Sequence, residues 1–223
     1  MTTDRSVVID SLGVGVATGA YGVSFGALAT TSGLDVWQAC ALSLAVFTGA
    51  SQFAFIGVIA TGGNPITGAF TAILLGSRLL FYGLSLAPLL RLSPSARFAS
   101  AHLVIDESTA MAVLRPTERQ ARIGFYWTGI SIFLLWNLFT LVGAVAGTNI
   151  GDPRDYGLDA AVGAAFLGLL WPRLTSWSAR ATALLAAAVA LGLVPFTAAG
   201  VPIIVGGAVA VLVGLRGSRE EAE

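Results

Sequence analysis

The sequence has no lysine, one histidine and one cysteine, and only 11% of its 223 residues are charged. Each shortage removes a class of function. Without lysine there is no GxxxxGK[ST] loop to cradle the phosphates of ATP. A metal site needs more ligands than one histidine and its acidic neighbours supply from a short loop, so no metal or other cofactor is expected. An intramembrane serine protease needs a base within hydrogen-bond reach of its nucleophile. The sole histidine, His102, lies outside the apolar runs, so the enzyme reading fails on inventory. Cys40 has no partner within the chain and says nothing about compartment. Twelve acids balance twelve arginines, leaving no net charge to attract nucleic acid. The exclusive use of arginine reads as codon bias. Soluble domains carry about 25% charged residues, and this chain has too few to coat a water-soluble ball.

What is present is apolar length, with a mean hydropathy of +0.83. A helix needs roughly 20 apolar residues to cross about 30 Å of hydrocarbon. Runs at about 8–30, 37–60, 66–90, 123–147, 158–171, 180–195 and 199–215 predict an all-α, polytopic membrane bundle. About seven transmembrane helices in one domain over 1–223 are expected. Ala27-Leu28-Ala29 fits a signal-cleavage rule, but the glycine-rich run before it makes a poor signal core, so it is read as the first span. The run 158–171 reaches only about 21 Å as a helix and is tilted, extended past Pro172, or re-entrant.

Arginine placement decides the count. Seven spans put nine arginines on one side against two, Arg5 and Arg154, on the other; turning the fifth run back gives five against six. The positive-inside rule favours the first. It predicts a cytoplasmic-membrane protein surrounded by lipid, its N-terminus outside, its C-terminus and the loop of about 91–122 cytoplasmic. Within that loop Phe98, His102, Ile105, Met111 and Leu114 recur at near-helical spacing and predict a segment lying along the interface. No internal repeat is legible in the letters, although transporters often carry repeats in topology alone.

Two anomalies fall at one predicted depth. The second run holds Thr48, Gly49, Ala50, Ser51 and Gln52 at its middle, and the third is centred on Arg78. Asn137 lies near the middle of the fourth. A pocket of hydroxyls, amides and a guanidinium suits a small polar or zwitterionic solute. The alternative for 48–52 is helix packing with one bonding glutamine, and for Arg78 a structural ion pair with Asp10 or Asp159. An intramembrane charge is functional by default. Gly15, Gly19, Gly22 and Gly26 form small-xxx-small pairs that predict close helix packing. His102 and Asp106 stand at i, i+4, which would put them on one helical face beside Glu107.

Five blocks carry a family likeness: YGVSFGALATTSGL (21–34), FTGASQFAFIG (47–57), SRLLFYGLSLAP (77–88), VIDESTA (104–110) and GLDAAVGAAFLGLL (157–170). In this order and spacing the chain resembles the AzlC family, large subunits of branched-chain amino-acid exporters. The resemblance implies secondary efflux of leucine, isoleucine and valine, with methionine as a further candidate, and a small hydrophobic AzlD-type membrane subunit as partner. It assigns the Gly-Ala-Ser-Gln block to Gly49–Gln52, the third-span arginine to Arg78, the acidic pair to Asp106 and Glu107, and the Gly-Leu-Asp block to Gly157–Asp159. One departure stands out. The family commonly has Asn-x-Arg-His where this chain has Gly76-Ser77-Arg78-Leu79, which removes two polar groups beside the arginine.

The resulting expectation is an alternating-access exporter. Its substrate-binding residues are Thr48, Gly49, Ser51, Gln52, Arg78 and Asn137, with the amino acid's carboxylate on Arg78. Coupling or gating falls to Asp106, Glu107 and Asp159, with Asp159 or Glu107 carrying a coupling proton. A passive channel for a neutral solute and a non-transporting scaffold subunit are the other readings.

Overall fold

The computed structural model describes residues 3–149, 167, 170–171, 174–198 and 200–220, and among these there are helices and turns but no strand. Two long rods form the frame. Helices α1 (Asp4–Ala20) and α2 (Gly22–Thr31) join through Tyr21, whose backbone is itself near-helical at φ −62°, ψ −18°. Beside them runs α9 (Glu118–Gly147), 30 residues and so about 45 Å long. The two rods are parallel: Gly15 lies on Ser131, Gly19 on Leu135, Gly26 on Thr140, and Gly147 of α9 on Ala27 and Thr30. A Cβ at any of these glycines would enter the neighbouring helix. In lipid, where hydrophobic burial gives helices no reason to associate, such close backbone approach is what holds them. At one end the rods are tied by Arg119–Asp4 at 2.7 Å and Arg115–Asp10 at 3.3 Å.

A third rod comprises α5 (Pro65–Gly76) and α6 (Arg78–Leu90), joined through near-helical Ser77. Its last turn lies at the tied end, because Arg122 Nε of α9 donates to the Leu90 carbonyl at 2.8 Å and Arg91 pairs with Glu118 at 3.7 Å. Residues 31 and 65 therefore both lie at the opposite end. Between them stand α3 (Val36–Ala45) and α4 (Ala50–Ala60), which must enter and leave by that end. Gln52 Nε2 donates to the Leu42 carbonyl at 3.4 Å. A straight helix would hold residues ten apart at about 15 Å. These two helices are a re-entrant hairpin.

A second hairpin, α7 (Pro94–Ala101) and α8 (Asp106–Val113), enters from the tied end. Its α8 descends along α9, with Met111 over Gly124 and Leu103 over Gly129. The tips, 46–49 and 102–105, meet half-way along α9. There Phe47 and His102 have ring centroids 5.9 Å apart and both rest on Phe133, at 5.1 and 5.5 Å. Rod then hairpin thus occurs twice in opposite directions. The bends at Tyr21 and Ser77, and the helix starts after Gly49 and Ile105, are separated by the same interval. The repeat absent from the letters is present in the topology.

Helices α10 (Trp177–Leu193) and α11 (Val201–Glu220) pack on each other through Gly206 and Ala190 and on α5 through Gly207 and Leu74. The outer faces of α6 and α10 expose Leu80, Phe81, Leu84, Leu184 and Leu191, the surface expected against lipid.

Three expectations are corrected. The run 37–60 does not continue as one span: Val46 leaves helical geometry, Thr48 N–H turns back onto the Val46 carbonyl at 2.8 Å, and Gly49 adopts φ +59°, ψ −83°. The residues spaced along 91–122 do not form one interfacial face, because Ile105 and Met111 are buried against the bundle while Phe98 and Leu114 are exposed. The N-terminus and the arginine-rich loop, predicted at opposite faces, share one end, where Asp4 and Asp10 neutralise Arg119 and Arg115. Most of the run 158–171, including Asp159, lies outside the described residues.

Candidate functional site

Where the two tips meet, a cavity of about 340 Å³ opens against the first rod and α9. Each tip presents the start of a helix to it, and the two are finished by similar means. At the first, Gln52 reaches back so that its Oε1 accepts the Gly49 N–H at 3.1 Å, while its amide holds α3 through Leu42. Gln52 is wholly buried. At the second, Ser108 Oγ accepts the Ile105 N–H at 3.1 Å and donates to the Leu103 carbonyl at 2.6 Å. Only the first tip uses a left-handed residue, and it is a glycine, the residue that reaches positive φ without cost.

The tips differ in charge. The first turn of α4 contains no acid, whereas that of α8 begins with Asp106 and Glu107. Asp106 is held by Arg78: Nη2 at 2.6 Å from Oδ2, Nε at 3.2 and 3.3 Å from the two oxygens. Tyr82 Oη donates to Asp106 Oδ1 at 2.7 Å, and Arg78 Nη1 donates to the Leu75 carbonyl at 2.7 Å. This is the bidentate geometry for which arginine is suited. Arg78, on the third rod, is thus satisfied by a carboxylate from the second hairpin. Glu107 also faces the cavity but makes no salt bridge among the described residues, Arg78 acting on it only at longer range.

The expected site residues therefore separate. Thr48, Gly49, Asp106 and Glu107 line the cavity together. Ser51 lies behind the first tip against Gly76 and Gln52 braces that tip. Arg78 stands behind Asp106, whereas Asn137 Nδ2 donates to the Phe133 carbonyl of its own helix at 2.8 Å. None of these four is among the residues lining the cavity. Asp10, one partner expected for Arg78, pairs with Arg115 instead, and Asp159, the other, lies outside the described residues. His102 ends α7 and Asp106 begins α8, so the predicted common face does not form.

Three buried polar atoms near the first tip lack a partner among the described residues: Thr48 Oγ1, Ser51 Oγ and Trp136 Nε1. Ser51 Oγ would be 3.3 Å from a Cβ at position 76, so glycine there leaves the hydroxyl without a side-chain neighbour on that side. Thr48 and Trp136 line the cavity itself. Trp136 was not singled out in the sequence. The available signal was a tryptophan at mid-span, whose N–H needs a partner when buried.

Bent rods and two hairpins meeting at a cavity define this molecule as a polytopic membrane helical bundle. Residues 13–150, which include every described residue lining that cavity, match the family described as AzlC protein, and the chain belongs to it. It is similar to an uncharacterized membrane protein of Archaeoglobus fulgidus, 32% identical over 162 residues, covering 71% of this chain and 70% of the relative. No solved structure matches.

Proposed function

We propose that the chain is a secondary transporter that exports branched-chain amino acids, leucine, isoleucine and valine with methionine at the margin, across the cytoplasmic membrane by alternating access. The observation that supports this most is the cavity between two half-helix tips introduced from opposite ends of the bundle. Transporters place solute sites near the midplane at the interface of inverted repeats, where broken helices offer polar backbone in otherwise apolar surroundings. Withdrawal of one tip opens the cavity to one face and withdrawal of the other opens it to the opposite face, a rocking or hinge motion of packed units. Phe53, Ile105 and Ile132 supply apolar walls for a branched side chain. The amino-acid class and the small AzlD-type partner subunit follow from the family resemblance.

Protons drive the export, since the sequence offers no ATP-binding loop, and Glu107 is the cavity acid placed to carry one. The end holding the N-terminus and Arg91, Arg97, Arg115, Arg119 and Arg122 faces the cytoplasm, in accord with the positive-inside rule. The test is uptake of labelled leucine into inverted vesicles, with and without the partner subunit, competed by the twenty amino acids. Concentrative uptake that collapses with a protonophore supports the reading. Equilibration without concentration makes the chain a channel, and transport by the partner without this chain makes it a scaffold.

A further inference from the structure

We propose that the cavity is polar in a defined sense: a ligand's ammonium rests on Glu107 at the tip of the second hairpin, and its carboxylate rests at the start of α4 between the Thr48 hydroxyl and the Trp136 indole N–H. This rests on the amino-acid reading above and adds which residues meet which end of the zwitterion. It also reverses the simplest expectation for Arg78, which is to bind the carboxylate directly.

The negative pole follows from the charges. Of the two acids at the cavity, Asp106 receives two nitrogens of Arg78 and the Tyr82 hydroxyl. Its charge is neutralised in place. Glu107 lines the cavity and has no salt bridge among the described residues, so it is the acid left there for a ligand's ammonium to pair with. A carboxylate placed there would meet a like charge, and the guanidinium that might offset it stands behind Asp106.

The positive pole rests on two independent features. Helix α4 has eleven residues, its first turn has no acid, and its first residue Ala50 lines the cavity together with Thr48 and Gly49, which lead into it. The first N–H groups of a helix lack intrahelical acceptors and carry partial positive charge. Gln52 takes only that of Gly49. Separately, Trp136 is 4% exposed, lines the cavity, and its Nε1–H has no acceptor among the described residues, and Thr48 Oγ1 has no partner among them either. A buried donor left unpaired is costly, and a carboxylate oxygen at this place satisfies it. The ligand class is therefore an α-amino acid with an uncharged side chain, recognised at both ends.

Calorimetric titration of the purified full-length chain tests this with three probes of one carbon skeleton: leucine, 4-methylpentanoate lacking the amine, and 3-methylbutylamine lacking the carboxylate. Charged hydrogen bonds of this kind predict that the wild type prefers leucine to either analogue by about tenfold or more. Glu107→Gln removes the preference over 4-methylpentanoate and keeps that over the amine. Thr48→Val does the converse, and Trp136→Phe provides the same readout should Thr48→Val not fold. Leucine binding with unchanged preferences in Glu107→Gln, or loss of the wrong preference, overturns the assignment while leaving the export reading intact. A wild type that binds no amino acid overturns both.

Discussion

The two hairpin tips are built to one plan and charged to different ones. Both end a half-length helix at mid-depth, both start the next with a side chain at its third position reaching back to the cap, and both rest on Phe133. One tip is neutral, turns on Gly49, and leaves hydroxyl and indole groups unpaired. The other carries two acids and takes an arginine from the neighbouring rod. Architecture sets where the polar groups converge; a few side chains then decide which end of a ligand each tip receives. The arginine's role follows from the same contrast. A second acid uncompensated at mid-depth would be expensive, and Arg78 allows one carboxylate to remain there as structure while Glu107 stays available.

That contrast can be broken in order of effect. Asp106→Ala leaves Arg78 without its ion pair and should cost about 2–3 kcal/mol of stability, at or below the low end for a buried pair because each partner keeps about a fifth of its surface exposed. Thermal unfolding in detergent measures it. The double variant Arg78→Leu/Asp106→Leu should be less destabilised than Asp106→Ala. Gln52→Leu strikes the neutral tip instead, removing the acceptor for Gly49 N–H and the tie to Leu42. About 2 kcal/mol is expected by the same measurement, two hydrogen bonds at roughly 1 kcal/mol each. Gly49→Ala should cost about 2 kcal/mol through backbone strain at φ +59°, ψ −83°, although the nearest atom to an added Cβ, Trp136 Cη2, is 3.8 Å away. Asp10→Asn marks the lower bound. Its pair with Arg115 has a half-exposed carboxylate, so unfolding should shift by less than about 0.5 kcal/mol. An equal loss in Asp10→Asn and Asp106→Ala would remove the distinction between a tip ion pair and a surface one.

Much of the frame was legible because apolar length and small-residue spacing are local. The stripe Gly15, Gly19, Gly22 and Gly26 predicted close packing, and α9 fills it. Arg78 was legible as an anomaly, and so were Thr48–Gln52. Their roles were not, because a role depends on the facing element. Asp106 sits among Arg97, Arg115 and Glu107 in a stretch whose charges read as lying outside the membrane, so the sequence does not mark it as the arginine's partner. The run 37–60 has the length of a span, and hydropathy does not distinguish one crossing from two half-crossings. The break at Val46–Gly49 decides that, through backbone geometry rather than composition.

The site between the tips exists only if residues 36–60 enter and leave by one end of the bundle. In a Cys40→Ala background, single cysteines at Ser32 and Thr61 should react with a membrane-impermeant thiol reagent from the same side, and cysteines at Ser6 and Ser95 only from the other. Ser32 and Thr61 labelled from opposite sides would mean that 36–60 crosses the membrane, and the opposed tips, with the site between them, would not exist.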